Sequence, residues 1–342
     1  MRSTRRTLRR LSAALVSLAV IVSLSLADAV LGGGPALAGG LTCGDTITAD
    51  TTLDSDLLDC PNNGIVIGAD DITLDLNGHT IDGDNALVDS CPENEFCDVG
   101  VANDSHNGVW IKGGDITGFA VGVYLFGARS NDLSDLSAAE NVFSGIILQE
   151  VSRTRVRGSA LFGNSGPDSG VGITLFQSRN NQIVHNRSFE NAELGIHLNQ
   201  SDHNYVGQNR VRDNPEDGII LEGNRNKIVG NRVVRNSITV TLFSHGAQAV
   251  GNVVRRNHVR RGPRGGIAID SAIERTLVKR NHVFRAGGHG ILIGNPTTTV
   301  TRNEARYNHR LGIKAVKGVI DGGGNRASGN GDPRQCVNIS CV

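Results

Sequence analysis

Aromatic residues make up only 4% of this 342-residue chain, with one tryptophan and three tyrosines. So few large rings exclude a core centred on them and leave valine, isoleucine, leucine, alanine and glycine to do the packing. Methionine occurs once, at position 1, so the mature chain has no thioether to offer copper(I). Helical periodicity and helix caps are almost absent between the apolar runs, which argues against helical fold classes. No C-x₂-C pair occurs, which removes the usual zinc modules. After Leu11–Ala27 no second long apolar run follows, so no stable membrane insertion is expected once that segment is removed.

Net charge is also missing, because 34 Lys+Arg balance 34 Asp+Glu. That zero is a cancellation. Residues 39–150 carry 2 basic and 20 acidic side chains, whereas residues 151–342 carry 27 basic and 13 acidic ones. Neutrality therefore excludes no charged partner.

What is present begins with an export leader. The basic stretch MRSTRRTLRR precedes the apolar run, and Ala36-Leu37-Ala38 offers an A-x-A cleavage site. Residues 1–38 read as a signal peptide, and the mature protein as secreted, extracellular or held in the cell envelope. The six cysteines, Cys43, Cys60, Cys91, Cys97, Cys336 and Cys341, all follow the leader. An even number in an exported chain points to disulfides, with fifteen pairings formally open. Nearest-neighbour pairing joins Cys43 to Cys60, Cys91 to Cys97 and Cys336 to Cys341.

Glycine is abundant, at 44 residues, and it travels with a repeat. A Gly-Ile-x-Leu pattern starts at Gly122, Gly145, Gly172, Gly195 and Gly218, continues as TVTL from Thr239, and returns at Gly266, Gly290 and Gly312. The spacing averages about 24 residues, the period of a solenoid. Asparagine recurs with it at Asn186, Asn209, Asn231, Asn252, Asn303 and Asn325, and again five residues later at Asn191, Asn214, Asn236, Asn257, Asn308 and Asn330. Asparagine suits a turn repeated at every level, because it tolerates left-handed backbone and bonds to neighbouring peptide groups. The expected fold is all-β: one parallel β-helix over residues 39–342, with about 10–11 coils of ~24 residues. A cap region is expected at 39–63, a disulfide-bearing insertion at 87–104 and a tail at 331–342.

The opening run ITLDLNGHTIDG, from Ile72 to Gly83, and the Gly-Ile-x-Leu…Asn-x-Ile…Asn repeats resemble right-handed parallel β-helix proteins of the pectin-lyase-like superfamily, in particular its NosD-like branch. The resemblance covers roughly Cys43 to Asn330. It implies the fold and leaves the chemistry open. The superfamily holds polysaccharide lyases, glycoside hydrolases, uronate epimerases, phage tail parts and a periplasmic copper-delivery branch.

In Gly-Ile-x-Leu the isoleucine and leucine point inward, so the intervening and following residues stack outward as a stripe. On it, Tyr124, Phe126, Phe176 and Phe243 are candidates for stacking on sugar rings. His197, Glu222 and Asp270 are the candidate catalytic groups. Glu222 and Asp270 stand two coils apart, about 10 Å, near the ~6.5–9.5 Å carboxyl separation of inverting glycosidases. His197, one coil before Glu222, supplies an acid or base. A second column, just before each strand glycine, holds Glu193, Glu216, Asp217, Arg264, His289 and Arg310. The run GGHGILIG around His289 is similar to the Gly-His-Gly motif of polygalacturonase-type hydrolases. The preceding coils offer Gly265 and Ile238 where that family needs acids, which argues against its mechanism.

No cofactor is required by these motifs. Asp70, Asp71, Asp75, Asn77, Asp82, Asp84 and Asn85 do form an oxygen-rich set of the kind calcium takes. The basic half supplies a track: Arg187, Arg210, Arg232 and Arg326 each follow an asparagine, and stacking sets them on one sheet at intervals of ~4.8 Å. Guanidinium groups bind carboxylates bidentately. An acidic polysaccharide is the expected partner, and nucleic acid is not. The reading is a protein that binds or modifies such a polymer, by lyase, epimerase or hydrolase chemistry in the second case. The alternative is a non-catalytic envelope or adhesion module.

Overall fold

The computed structural model describes residues 40–86, 98–166, 169–242 and 249–342. The segment expected as an export leader (1–38), Cys91, Cys97 and Phe243 lie outside the described residues. Every regular element among the described residues is a β-strand. Each coil gives one strand to a 13-stranded parallel sheet that runs from Asp45–Ile47 to Cys336–Val337. The rest of the coil supplies a second and a third parallel column. Gln182–Val184 and Arg187–Phe189 are one such pair. Two longer strands, Trp110–Thr117 and Asp132–Ala139, run through both columns. The result is a β-helix of about twelve turns of ~23 residues, slightly more coils than expected.

The period-two alternation within each short strand puts the core on the axis. Ile146, Ile173, Ile196, Ile219, Ile238, Ile267, Ile291 and Ile313 stack in register down the first sheet. None of them is more than 1% exposed. Full burial of one such side chain is worth about 1.5–3 kcal/mol, so every coil brings its own share of the core. The glycine before each isoleucine is a packing requirement. A Cβ on Gly195 would lie 2.5 Å from the carbonyl oxygen of Gly218, and one on Gly266 would lie 2.4 Å from that of Gly290.

One coil departs from the expected register. Ile238 pairs with Ile219 and Ile267, so Ser237 occupies the glycine position and Ile238-Thr239-Val240 is the strand. The outward residues of that coil are therefore Thr239 and Thr241, in place of Thr241 and Phe243. Serine is small enough for the site, and a two-residue shift preserves the inside–outside alternation, so strand pattern alone does not separate the two registers.

The asparagines form three ladders where two were expected. Asn186, Asn209, Asn231, Asn257, Asn281, Asn303 and Asn325 make one of them. Asn181, Asn204, Asn226 and Asn252 make a second. Asn141, Asn164, Asn191, Asn214 and Asn236 make a third, which resumes at Asn308 and Asn330. Asn252 and Asn257 thus each move to a different ladder from the one the sequence suggested. The cause is a coil of 26 residues between Asn231 and Asn257, against 22 between Asn209 and Asn231.

Disulfides join Cys43 to Cys60 and Cys336 to Cys341, stapling the two ends as nearest-neighbour pairing implied. Val99–Asp104, inside the span expected as an insertion, is a strand of the first sheet.

Candidate functional site

The outer face of the first sheet brings two of the three candidate catalytic residues together. His197 lies on Leu194–Asn199, and Glu222 directly follows Ile219–Leu221 on the next coil. His197 Nε2 stands 3.2 Å from Glu222 Oε1, with both residues buried. Asp270 is not in that contact. Thr241 intervenes on the coil between and donates its hydroxyl to Asp270 Oδ2 at 3.1 Å. Asp270 itself is exposed and also accepts bonds from the Ser271 N–H and hydroxyl.

Glu193, from the turn column, joins this group. It is buried, and its Oε2 has no hydrogen-bond partner among the described residues. Burial pushes its carboxyl up to about 7; nearby His197 pulls in the opposite direction, and Glu216 adds to the rise. Glu216 is also shifted up, chiefly by its own burial. Asp217 accepts from Ser237 and from Thr239, the latter at 2.9 Å. The buried Asn199 Oδ1, in register with the Glu222 position, likewise has no partner among the described residues. A carboxyl held near neutrality beside a His–carboxylate pair is an arrangement that can give and take protons at ordinary pH.

Glu193 fixes a pH dependence. Its folded-state pKa lies above the unfolded value of about 4.5, so the native chain holds the extra proton between about pH 4.5 and 7. Stability from this group is complete below pH 4.5 and declines as pH rises toward 7, by about 3 kcal/mol at most. Denaturant titrations at pH 5 and pH 7.5 should show the decline in the wild type. Glu193→Gln should reduce it, the rest coming from other carboxyls raised by burial, among them Asp98 at about 6, and equal slopes in both chains would refute the assignment.

Two of the aromatics expected to be open on this face, Tyr124 and Phe176, are covered by their neighbours. Tyr124 and Phe176 are 7% and 3% exposed. Tyr124 packs with Val99, Val121 and Ile147 and donates its hydroxyl to Gln149 Oε1 at 3.1 Å. Phe126 is half-buried, its ring stacked 6.5 Å from that of Tyr124. Apolar neighbours on adjacent rungs account for the difference, since stacked rings and aliphatic chains cover one another.

The third sheet carries the arginine track. Arg187, Arg210 and Arg232 stack in register and are exposed. The column then continues through His258, His282 and Glu304 before reaching Arg326. The two imidazoles lie parallel with centroids 4.8 Å apart, and His282 Nδ1 sits 2.8 Å from Glu304 Oε2. Burial, then His282 and Arg232, lower the pKa of His258. Arg326 therefore stands apart from the other three.

Beside this column runs a second one, whose rings the sequence reasoning missed. Phe162 and Phe189 stack at 4.9 Å, Arg212 lies over the Phe189 ring at 4.3 Å, and Arg260 and Arg285 flank Phe284. Phe284 also meets the exposed Tyr307 edge-on at 5.4 Å. The signal was available, because Asn186-Arg187-Ser188-Phe189 and Asn281-His282-Val283-Phe284 share one spacing from the asparagine. Arg256, Arg261, Arg280, Arg285 and Arg302 occupy left-handed turn positions at the edges. They are exposed and take part in no salt bridge among the described residues. Arg212 and Arg235, by contrast, are held by Glu190 and Asp213.

For calcium, Asp70 is engaged by His106 and the Asn107 N–H, and Asp75 by Lys112. Among the described residues no three His, Cys, Asp or Glu side chains converge on one metal position.

Stacked coils with an asparagine-laddered interior and long polar outer faces define a right-handed parallel β-helix protein. The chain belongs to the family described as periplasmic copper-binding protein (NosD), whose model matches residues 59–249. A second model, right handed beta helix region, matches residues 194–339. None of the curated proteins matches the sequence. Among solved structures, the Dettilon tailspike protein is similar at 18% identity and TM-score 0.53, over 84% of this chain and 60% of its own. This chain thus spans less than two thirds of the tailspike. The periplasmic alginate epimerase AlgG matches at 15% identity and TM-score 0.53, over 81% of this chain and 70% of its own. The A-module of the Azotobacter vinelandii mannuronan C-5 epimerase AlgE4 matches at 12% and 0.52, over 77% and 91%. At these identities the likeness shows the fold.

The described residues do not fit the family's copper. All four described cysteines are in disulfides, the one methionine is residue 1, and no three-ligand cluster forms among the described residues. Soft ligands for copper(I) are therefore lacking there.

Proposed function

We propose that this protein binds an acidic polysaccharide outside the cytoplasm, along the face built by the third strands of its coils. The observation that carries this reading is the pairing of two adjacent columns. Arg187, Arg210 and Arg232 form one; Phe162, Phe189 and Arg212, then Arg260 and Phe284 after an intervening Val234, form the other. A polyuronate presents carboxylates at regular intervals and sugar faces between them, matching guanidinium groups and rings set at ~4.8 Å steps. The printed roles of the structural neighbours, alginate and mannuronan epimerases, point to the same polymer class. The family's periplasmic description and the two disulfides fit an oxidising compartment.

Modification of the polymer is a second reading, with its own observation in the His197–Glu222 pair beside the near-neutral Glu193. One experiment addresses both. The purified chain is incubated with alginate, pectin and glycosaminoglycans, and binding, unsaturated product and uronate epimer ratio are followed. Salt-sensitive binding supports the polysaccharide reading, and product or a changed epimer ratio adds the catalytic one. Binding without either leaves a non-catalytic module. Failure to bind any of the polyanions at low salt refutes the proposal.

A further inference from the structure

We infer that the C-terminal end of the solenoid holds a separate pocket for a single uronate residue. A cavity of about 600 Å³ opens there between the last coils and the loop 331–335, with His289, Arg310, Lys314, Asp332 and Arg334 on its walls. Its size suits one monosaccharide, since small-ligand sites run from roughly 300 to 1,000 Å³.

The charges are arranged for a carboxylate. Arg310 and Lys314 are exposed and have no salt-bridge partner among the described residues. Arg334 is already committed, with Nε 3.0 Å from Asp332 Oδ1 and Nη2 2.6 Å from Oδ2. The site thus keeps two free cations on one wall and a neutralised pair on the other. His289 accepts the Leu311 N–H on Nδ1 at 3.3 Å, which leaves its neutral-form proton on Nε2 as a donor. Burial, with Lys314 and Arg310 close by, lowers the His289 pKa and so favours that neutral form. Asp332 supplies an acceptor for sugar hydroxyls. A ligand with one carboxylate and several hydroxyls satisfies this set better than inorganic sulfate, which has no hydroxyl to donate to the remaining lone pairs of Asp332.

The wall is fixed before any ligand arrives. Gln335 Oε1 accepts from the Asn330 N–H at 3.0 Å and from Asn330 Nδ2 at 2.8 Å, and the Cys336–Cys341 disulfide closes the loop beyond. Preorganisation of this kind reduces the ordering cost of binding.

The choice of a uronate extends the polysaccharide reading and rests on it, whereas the anion site itself does not. The full chain is titrated calorimetrically with galacturonate, with galactose as its neutral counterpart and with inorganic sulfate. Galacturonate should bind at least tenfold tighter than either. The double variant Arg310→Met, Lys314→Met should lose at least tenfold in that affinity while retaining the wild-type circular dichroism. In the unsubstituted chain, galacturonate should shift the His289 ring resonances and galactose should not. Equal affinity for galactose, sulfate binding as tight as galacturonate, or an unaffected double variant each overturns the assignment. If the chain binds alginate but not galacturonate, only the pocket falls. If it binds galacturonate but no polymer, only the track falls.

Discussion

Replacing Asn231 by alanine is expected to destabilise the solenoid by about 4 kcal/mol, the largest effect of any single polar substitution considered. Asn231 Oδ1 accepts both the N–H and the Nδ2 of Asn209 at 3.0 Å, and Asn231 Nδ2 donates to the Val206 carbonyl at 2.9 Å and to Asn257 Oδ1 at 3.0 Å. Alanine removes all four at once and leaves the Asn209 N–H, one Asn209 Nδ2 hydrogen and the Val206 carbonyl buried without these partners. Each orphan costs about 1–3 kcal/mol, far more than a surface hydrogen bond contributes. Position matters more than residue type, as Arg255→Ala on the same coil illustrates. That side chain is exposed, and its removal should change stability by less than ~0.5 kcal/mol. Urea unfolding of the two variants compares them directly, with hydrogen exchange at Asn209 and Arg210 reporting the local opening expected of a stacked array. An Asn231→Ala midpoint indistinguishable from that of Arg255→Ala would show that the ladder is decorative.

Much of the fold was legible because each coil repeats the same small problem. Isoleucine and leucine at period two, a glycine where the next coil's carbonyl leaves no room for Cβ, and an asparagine at each corner recur often enough to be counted. Legibility failed where the repeat was locally degenerate. At Ser237–Val240 the serine replaced the glycine, and a shift of two residues kept every side chain on its face. The longer coil that follows then moved Asn252 and Asn257 between ladders. Of the candidate site, His197 and Glu222 were readable because they stand on adjacent coils at outward positions. Thr241 between Glu222 and Asp270 was hidden by the same register error. The burial of Tyr124 and Phe176 and the raised pKa of Glu193 depend on neighbours from other coils. No strand pattern in one coil encodes them.

The two candidate functions occupy different sides of the same coils. Arg187 lies on the third sheet and His197 on the first, joined by the turn that carries Glu190 and Glu193. A polymer laid along the arginine and phenylalanine columns runs parallel to the His197–Glu222 pair without lying over it. Substitutions on one side should therefore leave the other's readout intact, which makes binding and proton-transfer chemistry separable by mutation.

The triple variant Arg187→Gln, Arg210→Gln, Arg232→Gln is accordingly expected to bind acidic polysaccharide about fiftyfold more weakly at low ionic strength. Exposed charge pairs contribute about 0.2–1 kcal/mol each. Three arginines at the upper part of that range supply about 2.4 kcal/mol, which is a factor of roughly fifty in affinity. The three are exposed and stacked in register, so glutamine keeps a polar, hydrogen-bonding end and part of the aliphatic stem while removing the charge. Stability should stay near wild type, since the inward Ser188, Val211 and Val233 that follow them are untouched. Raising the salt concentration should shrink the gap between wild type and variant, because screening at about 3 Å in 1 M salt removes what the substitutions remove. A gap that persists at high salt would assign the loss to shape or ring stacking at Phe189. A variant that binds as tightly as the wild type at low salt would show that the track takes no part in recognition.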